Sequence, residues 1–257
     1  KSKYVYIEGE KDKVKDIETY WRYIAEATLV LSYLEYDVDK IKERVKEVLK
    51  PSKYPPQFPY AKSVALLALA NVDYKEAVEE LSKWDYEGEI SAYLKYFGDK
   101  DIGEVQRKVA EVLIKLKHEG AVGIIKDFLN SPAPQDKIIG AELAIEFGSQ
   151  QLIDELKKSS DSVERYFSGE FPTGEIREDS HFFEYHNARI ALLMAIALLG
   201  SKEDRADAKQ RLENILEYYL GLEKGSRKIE VSYYFFSNLR NLIYKASEAL
   251  IDIGDTE

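Results

Sequence analysis

Ala110-Glu111-Val112-Leu113-Ile114-Lys115-Leu116-Lys117 and Ala141-Glu142-Leu143-Ala144-Ile145-Glu146-Phe147-Gly148 align residue against residue, 31 positions apart (110 to 141). Small and large apolar residues fall at matching places, and each block is followed by a break and a second amphipathic segment. A period of about 30–45 residues built from two helices is the pattern of hairpins that bury their apolar faces by stacking on their neighbours. The expected fold is therefore all-α, an α-α superhelix of about five antiparallel helix pairs. It is expected to form one domain over residues 1–257, with 1–16 a poorly ordered leading segment and 159–179 a loop insert.

Working outward, Val105–Lys117 and Ala121–Leu129 make the clearest hairpin, with Gly120 at a C-cap position. Lys137–Phe147, Gly148 and Gln151–Lys157 repeat the plan. The insert Ser159–Asp179 carries Gly169, Pro172 and Gly174, and insertions in repeat proteins are loops on one face. Upstream, Glu87–Phe97 ends at Gly98, Asp73 starts the helix Tyr74–Trp84, and Ala61–Ala70 is a compact apolar helix. Pro51–Pro59 holds four prolines in nine residues, which forbids a helix there. From Ile17 to Glu35 the apolar positions Ile17, Tyr20, Trp21, Ile24, Thr28, Leu31 and Leu34 follow the 3, 4 spacing of an amphipathic helix and are expected to face inward. Asp37 or Asp39 caps the next helix, with Val38, Ile41, Val45, Val48 and Leu49 as its buried side. Downstream, Phe182–Leu199 is almost uniformly apolar from Ile190 and should be enclosed on several sides. Its partner runs from about Glu203 to Leu222, and Val231–Ile253 is the last long helix.

Composition bounds the function. Hydrophobic residues are 45% and charged residues 33% of the 257 positions, which suits a folded chain. The charge-rich, cysteine-free usage with one Met leans toward a thermophile. Zero cysteines exclude disulfides, thiolate metal sites and cysteine nucleophiles. The net charge of −10 argues against a broad nucleic-acid footprint, which needs a basic face. The apolar run Ala188–Gly200 is too short to span a bilayer, so no membrane contact and a cytoplasmic location are expected.

The Ala-x-x-Ala/Leu-x-x-Phe/Leu ending of the first helix, closed by Gly148 in the second copy and followed by a short helix with Leu/Ile at 3, 4 spacing, resembles a HEAT repeat. It is most similar to the short HEAT-like units of phycobilisome lyases. The resemblance covers Glu104–Ser159 best, and Phe182–Leu222 and the C-terminus less fully. HEAT repeats are defined by packing positions, so the resemblance implies a fold and not a reaction. It implies a curved right-handed stack whose inner surface typically binds another protein, and less often a nucleic acid or a cofactor.

Two of the three histidines lie in His181-Phe182-Phe183-Glu184-Tyr185-His186. On a helix His181 and Glu184 are i, i+3 neighbours that can reach one metal, while His186 points away. A single pair is an incomplete ligand set, so no metal is expected, and His181/Glu184 stands as the alternative. His118-Glu119 is similar to one His-Glu pair of HEAT-type deoxyhypusine hydroxylase, but three histidines cannot supply that enzyme's several pairs. HEAT-like base-excision glycosylases would need a basic face that this acidic chain lacks. A local basic strip, Lys224–Lys228 with Arg240 and Lys245, is the one nucleic-acid candidate.

Aromatic residues are the stronger clue. Tyr54 and Phe58 crowd the proline-rich loop, Tyr166, Phe167 and Phe171 lie in the insert, and Tyr233 and Tyr234 open the last helix. Four consecutive aromatics from Tyr233 cannot all face one core, and aromatics in loops suit a protein interface. The expected function is thus a non-catalytic scaffold that binds another protein on its concave face or at the Ser159–Asp179 insert, without cofactor. The alternative is a HEAT-like enzyme or nucleic-acid-binding protein with a site near His181 and Glu184.

Overall fold

The computed structural model describes residues 11–50, 58–98, 101–170, 180–226 and 233–254; at 11–14, 168–170, 180–181, 225–226 and 233–236 it describes the backbone alone. Among the described residues the chain is all-α: twelve helices and a 3₁₀ turn at Gln150–Leu152, with no strand. Contacts gather in two compact units, residues 1–124 and 125–257.

The first unit is built around α3 (Pro59–Val72), which packs against α1 (Lys11–Tyr33), α2 (Val38–Leu49), α4 (Tyr74–Leu81), α5 (Tyr86–Phe97) and α6 (Ile102–Lys115). Pro59 sits at its first turn, where the missing N–H costs nothing. Eleven of its fourteen residues are buried, and five of those are alanine or serine, so neighbours approach closely from several sides. Three of the helix starts around it, those of α2, α4 and α5, are capped by aspartates. Asp37 accepts from the Lys40 amide, Asp73 from Glu76 and Asp85 from Gly88. Asp73 does double duty, since Lys42 of α2 bonds it at 2.6 Å and Glu76 at 3.0 Å. Those two bonds push the Lys42 ammonium up to about 12.

The second unit contains most of α7 (Ala121–Asn130), then α8 (Pro134–Phe147), α9 (Ile153–Glu170), α10 (Ser180–Leu199), α11 (Lys202–Ser226) and α12 (Tyr233–Gly254). Its centre is α10, which packs against α8, α9, α11 and α12. Ala188, Leu192, Leu193, Ala195 and Ala197 are fully buried there, as the apolar run requires. The stretch Phe182–Leu199 has the length and apolarity to cross a membrane, yet more than half of it is buried within this unit, as in a core helix. Gly140 of α8 faces the end of α7, where a Cβ would lie 3.0 Å from the Leu129 backbone nitrogen. One turn earlier, Lys137 reaches the same place and its ammonium donates to the Leu129 carbonyl at 2.9 Å.

Several expectations change. The segment expected as an irregular insert is helical from Ser159 to Glu170, because α9 simply continues; residues 171–179 lie outside the described residues. Helix α1 begins at Lys11, six residues before its expected start, and residues 1–10 lie outside the described ones. Gly120 is not the C-cap of α6: the helix ends at Lys115, and Lys117 takes the left-handed turn with φ +54°. Gly98 and Gly148 end α5 and α8 with positive φ, where a side chain is strained. In α2, Val38 is exposed and Leu49 half-buried, leaving Ile41, Val45 and Val48 as the buried positions.

Candidate functional site

The largest departure from expectation is the orientation of α1. Its buried positions are Glu18, Ala25, Thr28 and Ser32, which are polar or small. Directional bonds hold that face inward. Glu18 accepts from the Tyr93 hydroxyl at 2.9 Å, and burial pushes its carboxyl above the usual range. Arg22 donates to Glu104 at 2.8 Å and lies 3.7 Å over the Tyr60 ring. Glu26 accepts from the Tyr60 hydroxyl at 2.9 Å, and Ser32 accepts from the Asn71 amide at 3.1 Å. Thr28 and Ser32 return their own protons to backbone carbonyls one turn back. Glu18, Glu26, Thr28 and Ser32 each find a bond on α3, α5 or their own helix, while Arg22 meets Glu104 of α6 through one terminal nitrogen and leaves its buried Nε without a partner among the described residues.

The opposite face is therefore apolar and outward. Tyr20, Tyr23, Ala27, Val30 and Leu34 recur at 3, 4, 3, 4 spacing, and all are exposed; Tyr23 is 67% and Leu34 70% exposed. Thr19, Leu31 and Tyr33 flank them and are exposed too. None of the exposed α1-side residues from Thr19 to Leu34 carries a charge, along about 21 Å of helix, in a chain one-third charged. Such a contiguous uncharged strip is unlike the scattered single apolar residues of an ordinary protein surface.

The same unit buries an ion pair between α3 and α5. Lys62 of α3 donates to Glu89 of α5 at 2.6 Å, with both side chains under 10% exposed, and the Trp84 indole N–H donates to the other Glu89 oxygen at 2.7 Å. Burial, and next the neighbouring carboxylates, push the Tyr60 and Tyr93 hydroxyls up, so both remain proton donors.

In the second unit, His186 of α10 is 2% exposed and its Nδ1 lies 2.5 Å from the Tyr219 hydroxyl of α11. Burial, and secondarily the Arg189 charge, push the imidazole from 6.5 down to about 3. Burial also raises Tyr219, so the phenol donates and the ring proton sits on Nε2. Among the described residues Nε2 has no hydrogen-bond partner, and the imidazole ring centre lies 4.4 Å from that of Phe167 and 4.2 Å from that of Phe182. The neutral imidazole thus packs as one more ring among its aromatic neighbours.

The residues singled out from sequence fall as follows. Phe58 is 5% exposed at the start of α3, a core residue and not a loop contact. Tyr166 stacks on Tyr185 at 3.8 Å, and Phe167 packs against His186 with the Arg189 guanidinium 5.2 Å from its centre. These two belong to α9 and not to a free loop. Tyr54 and Phe171 lie outside the described residues, as do the side chains of His181, Tyr233 and Tyr234. Glu184 is half-buried on α10, and the described residues hold no cluster of three or more potential metal ligands. His118 accepts from the Gly120 amide at 3.0 Å and touches the Tyr86 ring, a local turn contact. Of the basic strip, Arg240 pairs with Glu223 at 3.4 Å and Lys245 donates to Asn187 at 2.9 Å.

Sequence reasoning missed Tyr23 and Val30 altogether, and assigned Tyr20, Leu31 and Leu34 to the core. The signal was present: α1 carries two interleaved 3, 4 stripes, one of Glu18, Ala25, Thr28 and Ser32 and one of Tyr20, Tyr23, Ala27, Val30 and Leu34. Neither protein-family profiles nor curated proteins nor solved structures match the chain.

Proposed function

We propose that this chain is a non-catalytic helical scaffold that binds another protein, and that the outer face of α1 is the surface it binds with. The carrying observation is the uncharged apolar stripe Tyr20, Tyr23, Val30 and Leu34, held outward by the buried bonds of Glu18, Arg22, Glu26 and Ser32. Tyrosine and leucine at helical spacing on an exposed face suit a helix-in-groove or helix-on-helix contact. The reading includes a superhelical arrangement of HEAT-like hairpins and a cytoplasmic location. In favour of the repeat, its paired positions share their burial: Ala110 and Ala141 are both fully buried, as are Leu113 and Ala144.

Affinity capture from native lysate tests the surface. Wild-type protein is expected to retain a partner that the Tyr23→Glu/Leu34→Glu variant loses. An identical set of captured proteins would sink the assignment of this face.

A further inference from the structure

We infer that the partner of the α1 face is a second copy of this chain, paired antiparallel about a two-fold axis through Ala27. The inference rests on the interface reading above and adds its occupant. Tyr20 and Leu34 each lie seven residues from Ala27, and Tyr23 and Leu31 each lie four. An antiparallel copy thus sets Tyr20 against Leu34 of the partner, Tyr23 against Leu31, and Ala27 against itself. The bulky aromatic end of one helix meets the aliphatic end of the other, and the smallest side chain sits where the two backbones cross. Such self-complementarity is what an isologous interface requires. The 3, 4 recurrence is also that of helices packing side by side.

Charge and area agree. Each copy carries −10, so two copies repel least where charge is absent, and the exposed α1 positions from Thr19 to Leu34 are uncharged. At about 200 Å² per large side chain, the exposed parts of Tyr20, Tyr23, Val30, Leu31 and Leu34 offer about 600 Å² per protomer, or about 1,200 Å² in a pair, the lower edge of stable specific interfaces. A reversible dimer follows, with a Kd on the order of micromolar.

Light scattering on the purified full chain reads the mass over about 1–100 μM, a range that brackets such a Kd. Wild type is expected to shift from monomer to dimer, and Ala27→Glu, which faces two carboxylates across the axis, to weaken pairing at least about a hundredfold. Ala27 is exposed and Glu favours helix, so this variant is expected to keep the wild-type unfolding midpoint. Because the chain has no cysteine, cross-linking reads the geometry directly. Ala27→Cys is expected to form a disulfide with itself, whereas Tyr20→Cys and Leu34→Cys cross-link only when mixed. A wild-type chain that stays monomeric, an Ala27→Cys that does not cross-link, or a Tyr20→Cys that cross-links with itself overturns the pairing. A monomer that captures a different protein through this face also overturns it while leaving the interface reading intact. That reading fails by itself only when capture is indifferent to Tyr23→Glu/Leu34→Glu.

Discussion

The Tyr93 hydroxyl of α5 donates to the Glu18 carboxylate of α1 at 2.9 Å, joining side chains that are 2% and 8% exposed. A carboxylate this far from water is tolerated because a donor meets it, and that donor fixes which side of α1 turns inward. Tyr93→Phe leaves the acceptor buried and unmet, at an expected cost of about 1–3 kcal/mol. Glu18→Gln keeps an acceptor oxygen and removes the charge that burial disfavours, so it is expected to change stability by no more than about 1 kcal/mol. Urea unfolding of both variants checks the order. A harmless Tyr93→Phe would mean that the bond does not orient α1.

The Lys62–Glu89 pair makes a second expectation, of non-additivity. Lys62→Met strands Glu89 in the interior with only the Trp84 indole as donor, and a loss of about 3–5 kcal/mol is expected. Adding Glu89→Leu removes the stranded charge and is expected to restore most of that loss, less about 1 kcal/mol for the Trp84 N–H left without its acceptor. A double-mutant cycle by chemical denaturation reads both; simple additivity would contradict the pairing.

His186 makes stability depend on pH. Its folded value of about 3 lies below the unfolded 6.5, so the folded state binds its proton less readily. That contribution is whole above pH 6.5 and shrinks as pH falls toward 3, by about 2 kcal/mol at pH 5. His186→Gln is expected to flatten the unfolding free energy between pH 7 and 5 by about that amount, as a titration of urea midpoints will show. An unchanged slope would mean that the imidazole is not held neutral in this shell.

Helix periodicity carried most of the fold. The aspartate starts at Asp37 and Asp73, the stops at Gly98 and Gly148 and the enclosed α10 were legible because each rests on a local rule. The end of α6 was not, since Lys117 adopts a left-handed conformation that glycine-based reasoning assigns elsewhere. For the site, periodicity located α1 as an amphipathic helix and then chose the wrong face. Apolar residues mark the core only where polar ones lack buried partners. Here Tyr60, Asn71 and Tyr93, between 34 and 75 residues away in the chain, supply them. No local pattern in α1 contains that information.

The most direct measurement is the unfolding free energy of Tyr23→Glu/Leu34→Glu, taken well below micromolar concentration so that pairing does not enter. With both side chains in solvent, two charges on the helix surface are expected to change it by no more than about 1 kcal/mol. A loss of about 4 kcal/mol or more would place these residues in the core and contradict the outward face of α1.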